Sequence, residues 1–191
     1  MNILVDKLPT SLEVNGVEYP IDSDFRSCLS TILAFEDTEL AEVEKQHVLL
    51  TNLYEEIPED TEAALEKAIW FLNGGRLSPD EEASPMRLYS FEKDSGLIFA
   101  AFRQTHGIDL QGIEYLHWWK FIALFLDLGQ NTTFCELTSL RKRIKTGKAT
   151  KEERAMARDM GEMFDLPDYD DRTLEEKEAE RAFLEAVGGG Q

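Results

Sequence analysis

Apolar residues recur along this chain at two spacings, and the change from one to the other comes early. In "SLEVNGVEYPI", residues 11–21, Leu12, Val14, Val17 and Tyr19 lie around an Asn15-Gly16 pair. Alternation with period two marks a half-buried strand, and Asn-Gly tolerates the positive φ of a two-residue turn, so the segment predicts a β-hairpin. Pro20 lacks the N–H needed to continue a ladder and closes the second strand. From there the period is helical. Phe25, Cys28, Leu29, Ile32 and Leu33 form one set, Leu40, Val43, His47, Leu50 and Tyr54 a second, and Ala64, Leu65, Ala68, Ile69 and Leu72 a third. Asp22, Ser23 and Asp24 supply capping side chains for the first, and Gly74-Gly75 stops the third.

Residues 74–87, "GGRLSPDEEASPMR", combine glycines, prolines and polar residues, which predicts a surface loop. Four more helices follow. One lies within 91–110 and ends near Gly107; the next is "LHWWKFIALFLDL", 116–128, with Gly129 at its end. A third opens at Asn131 or Thr132, and the fourth at Thr150, where Glu153 completes a capping box. The expected fold is mainly α: a multi-helix bundle, 23–164, with a small N-terminal β-hairpin, 1–22, packed on it. An acidic C-terminal tail, 165–191, is expected to be flexible or to form one amphipathic helix over roughly 173–187.

The stretch 116–128 is the most apolar of the chain. At 100° per residue, Tyr115, Leu116, Trp118, Trp119, Ile122, Ala123, Phe125 and Leu126 cover about half of a helix circumference, and Glu114, His117, Lys120 and Asp127 lie opposite. Phe121, Leu124 and Leu128 interrupt the polar arc, so such a helix is either central in its bundle or covered by a second surface. Its longest strictly apolar run, "FIALFL", is far below the roughly 20 residues that span a bilayer. Indole N–H groups need partners, and tryptophan is enriched at interfaces as well as in cores.

Charge narrows the field. A net charge of −18 opposes nucleic acid and anionic membrane surfaces. Against that background, Arg141, Lys142, Arg143, Lys145, Lys148, Lys151, Arg154 and Arg158 face only Glu152 and Glu153 between 141 and 158. This basic island is a solvated pair of helices, a surface that meets acidic surface on another copy, with Arg141 and Arg143 as the residues to test, or a nucleic-acid contact, for which no recognised motif or aromatic platform is present. The start, "MNILVDKLPTSLEV", holds no apolar run of secretory length, and two cysteines without paired spacing suit a reducing compartment, so an intracellular protein is expected. Cys28 and Cys135 read as buried apolar residues.

Catalytic signals are absent. His47, His106 and His117 fall on different predicted helices without i, i+3 or i+4 partners, and no glycine run has phosphate-binding spacing. No enzyme activity, metal or cofactor is expected.

Several segments resemble a known family, the "gene product fifteen" proteins of long-tailed phages and prophages of Gram-positive bacteria. They are "YPIDSDFR" at 19–26, "FEKDSGLIFAAFRQTHGIDL" at 91–110, "LHWWKFIALF" at 116–125, and "TTFCELTSLRKR" at 132–143, followed by "TKEER". The resemblance implies a protein encoded between the major tail protein and the tape measure protein, the position of tail-assembly chaperones. It therefore implies a helper in the host bacterial cytoplasm that binds and solubilises the tape measure protein, with the tail-tube protein as a further partner and self-association expected. A structural component of the tail or of its completion complex is the alternative. On this reading Trp118 or Trp119 anchors the core, while Tyr115, Phe121 or Phe125 reaches a partner.

Overall fold

The computed structural model describes residues 2–76 and 86–166. Its N-terminal strands, β1 (Ser11–Val14) and β2 (Val17–Pro20), pair antiparallel with Leu12 opposite Tyr19 and Val14 opposite Val17. Asn15 and Gly16 both take positive φ, 51° and 80°, which matches the turn to the twist of the strands. Leu12 and Val14 point inward. The turn is also tied sideways: Asn15 Nδ2 donates to Asp60 Oδ2 at 2.8 Å, and Asp60 caps the helix that β1 packs against.

Among the described residues seven helices follow: α1 (Phe25–Glu36), α2 (Glu42–Leu53), α3 (Thr61–Leu72), α4 (Ser95–His106), α5 (Trp118–Leu126), α6 (Thr133–Lys145) and α7 (Lys151–Met160), the last running into a 3-10 turn at Gly161–Met163. Asp24, Asp60, Thr132 and Thr150 each accept a backbone N–H in the first turn of α1, α3, α6 and α7. Those bonds satisfy donors that the helix itself leaves open. At α7, Glu153 answers Thr150 in the reciprocal capping box that the sequence predicts. Gly107 ends α4 in the left-handed conformation.

Two expectations need correction. The apolar stretch does not become helical until Trp118. Backbone groups of residues 116–118 are taken by the chain entering α1: Phe25 N–H donates to Leu116 O, Trp118 N–H to Ser23 O, and Leu116 N–H to Asp24 Oδ2. Asp24 and His117 form an isolated bridge, so tertiary pairing holds this segment extended where its pattern reads as helix. Gly129 is not a helix stop either; Asp127 is the C-cap, and Gly129 has no positive φ. A Cβ at Gly129 would lie 2.9 Å from Asn131 Oδ1 and 3.3 Å from Thr105 Oγ1, so a larger residue there would have to push these side chains aside.

The core lies around α5, which touches α1 and α4, while α6 packs on α4, and α2 joins α1 to α3. The helix expected over 173–187 and most of the loop expected over 74–87 lie outside the described residues. No helix among the described residues is long and apolar enough to cross a membrane.

Candidate functional site

The seven side chains singled out from the sequence fall into three environments. Trp118 and Trp119 are both buried, not one of the two. Their indole N–H groups donate to Leu72 O at 2.9 Å and Phe71 O at 2.8 Å, carbonyls in the last turn of α3. Trp118 thus answers Leu72 O at the helix end and Trp119 adds a second donor to Phe71 O, which also accepts from Gly74 N–H, while both rings fill the core. Gly75, at φ 76°, lets this happen: a Cβ there would sit 2.6 Å from the edge of the Trp119 ring.

Phe121 is 1% exposed and stands at the centre of an aromatic stack, with Phe25 and Phe102 each 5.0 Å away and Trp118 at 5.5 Å. It cannot reach a partner from the surface. Phe125 is half-buried against Tyr89, Phe91 and Phe134. Of the five aromatics, Tyr115 alone is exposed, at 53%, with its hydroxyl 2.7 Å from Ser23 Oγ.

His117, expected on the polar arc, is buried and caps α5. Nδ1 accepts from Trp119 N–H at 3.0 Å, so the ring proton is on Nε2, which donates to Pro9 O at 3.0 Å. Burial pushes its pKa below the ordinary value, and the nearby Lys120 charge acts in the same direction.

Arg141 is 1% exposed and does not belong to a surface patch. Its guanidinium makes a bidentate pair with Asp94, at 2.6 and 3.1 Å, and donates to the carbonyls of Leu88, Met163 and Phe164. All five N–H donors are used, which is what a buried arginine requires. Arg143 stays partly exposed but is engaged, donating from Nε to Glu153 Oε1 at 2.8 Å. The basic island therefore shrinks to its lysines and to Arg154 and Arg158.

One feature escapes sequence reasoning. α1 and α4 both pack on α5, and between them lies an apolar cleft of 330 Å³ lined by Leu29, Leu33, Ile98, Phe99 and Leu110, with Phe25 and Phe121 below. Arg26, Ser30, Ser95 and Gln111 add polar groups to its lining. Leu29 and Leu33 show only as helix periodicity in the sequence, because whether an i, i+4 pair is covered depends on a helix about 70 residues away.

Among the described residues no group of His, Cys, Asp and Glu could hold a metal ion. Cys28 is buried, and burial, with Asp22 and Asp24 nearby, pushes its thiol pKa well up, so it is not a thiolate at neutral pH. Cys135 is half-buried rather than buried.

No curated protein and no solved structure matches the chain. A family model described as bacteriophage Gp15 protein matches residues 4–166, a span that takes in the hairpin, all seven helices and the cleft. The chain belongs to this bacteriophage family, which points to a phage structural or tail-related protein.

Proposed function

We propose that the protein is a phage tail-assembly chaperone that binds the tape measure protein, keeps it soluble in the host cytoplasm and aids tail-tube assembly. The observation that carries this reading is the α1–α4 cleft. It is apolar below and polar at its edges, and 330 Å³ suits a few side chains from one face of an amphipathic helix. Leu33, 39% exposed at its edge, is available for such a contact. A net charge of −18 would keep a complex with an apolar, aggregation-prone helical client in solution. No enzymatic step is part of this role.

The test is co-expression with the tape measure protein of the same phage. A soluble complex that is missing when the tape measure protein is made alone, and that Leu33→Glu or Phe99→Glu abolishes without unfolding the protein, supports the chaperone. If the tape measure protein stays insoluble and this protein is found in purified particles, it is a structural component of the tail instead.

A further inference from the structure

Two edges of the molecule carry charge that the fold does not use, and they are opposite in sign. On α7, Arg154 and Arg158 are exposed, and neither guanidinium has an ion pair or hydrogen bond among the described residues. They stand at a hollow of 440 Å³ whose apolar lining is Ile144, Ala157 and Phe164; Asp165 is the one carboxylate there.

The second edge is the α2–α3 connection, "YEEIPED", residues 54–60. Glu55, Glu56 and Glu59 are exposed without a side-chain partner among the described residues, and Ile57 between them is 41% exposed. This loop is held rigidly. Pro58 is fully buried, Tyr54 pairs with Ile21 and donates its hydroxyl to Ala64 O, and Glu55 N–H donates to Pro20 O. An isoleucine ringed by carboxylates is thus presented in a fixed position, on an element that packs with the hairpin and α1. α7 instead packs on α6 and the 3-10 turn, so the two edges belong to separate parts of the molecule.

We propose that these edges meet between copies of this chain: Ile57 of one copy enters the Ile144–Ala157–Phe164 hollow of the next, and Glu55, Glu56 and Glu59 face Arg154 and Arg158. The match is double, apolar knob to apolar hollow and carboxylates to guanidiniums, which sets register as well as attraction. Because the two surfaces differ, the contact is heterologous. It leaves a free edge at each end, so assembly continues head to tail until a ring closes or a filament grows. The proposal is independent of client binding, since the α1–α4 cleft uses neither edge.

The test is the solution mass of the full chain by light scattering or sedimentation. Wild type is expected to exceed the monomer at low ionic strength and to lose mass as salt screens the exposed charges. Arg154→Glu/Arg158→Glu and Glu55→Lys/Glu56→Lys/Glu59→Lys are each expected to be monomeric alone, because each presents two edges of like sign. Mixed in equal amounts they present opposite signs again and should regain the wild-type mass. Circular dichroism checks that both remain folded, and Arg154→Gln/Arg158→Gln replaces the reversal if α7 is disturbed. A wild type that is monomeric at low salt, reversals that assemble like wild type, or a folded mixture that stays monomeric would each overturn the proposal.

Discussion

Helices α5 and α7 are nearly the same length and differ in almost every other respect. Around α5 the buried polar groups are matched inward: two indoles on the end of α3, and His117 between Trp119 N–H and Pro9 O. α7 buries only Ala157, packs against α6, and leaves two arginines without partners among the described residues. The difference teaches that conspicuous residues are poor guides to the surface. The tryptophans, which attract notice, hold the fold together; the plain basic residues of α7 are the ones left exposed.

The sharpest test of the contrast uses two arginines of α6, two residues apart in sequence, of which Arg141 is buried toward the core and Arg143 partly exposed toward α7. Arg141→Ala should destabilise by about 3–5 kcal/mol in urea unfolding, because Asp94 is left charged and buried. An Arg141→Ala protein as stable as wild type would mean that α6 is docked differently. Next, Trp119→Phe keeps most of the ring volume but removes the indole donor from Phe71 O, which keeps its bond from Gly74 N–H, and should cost about 1 kcal/mol by the same measurement.

Acid tests the His117 cap. Its folded pKa lies below the unfolded value of 6.5, so above that pH both states are neutral and stability is unaffected by this group. As pH falls through 6.5 toward the folded value, the unfolded chain takes up a proton that the folded ring resists, and stability drops by at most about 1.4 kcal/mol per pH unit from this site. His117→Asn retains an acceptor for Trp119 N–H and should flatten the fall between pH 7 and the carboxylate range. If the two proteins share one pH profile, the cap does not titrate.

On the α7 side the effects are smaller. Thr150→Ala removes half of the capping box and should cost about 1 kcal/mol, read most directly as faster amide exchange in α7. Arg143→Ala should cost between about 0 and 1 kcal/mol, since its pair with Glu153 is partly exposed. A loss as large as that of Arg141→Ala would erase the distinction between the two regions.

Features whose partners are near in sequence were legible: the Asn15-Gly16 turn, the Thr150 and Glu153 box, the helix end at Gly107, and the seven helices themselves. Family membership was legible too, carried by runs such as His117-Trp118-Trp119. What could not be read depends on distant partners. The helix start at Trp118 is decided by Ser23, Asp24 and Phe25, and the burial of Arg141 by Asp94, 47 residues before it. A cation on a helix looks the same in sequence whether it meets water or a buried carboxylate. The cleft was missed for a related reason, because an uncovered apolar pair differs from a covered one only in what α4 does beside α1.

Arg141 also carries a consequence for biosynthesis. Three of its five hydrogen bonds go to Leu88 and Asp94, which precede it, and two go to Met163 and Phe164, which follow. During translation α6 leaves the ribosome while those last two acceptors are still inside the exit tunnel. Sealing α6 onto α4 at that moment would bury a guanidinium with donors unanswered, so the cost of the unfinished site favours keeping α6 open. The apolar face of Phe134, Leu137 and Leu140 then stays available to cellular holdases until Phe164 emerges, and closure of this half of the molecule is timed by its own C-terminal turn.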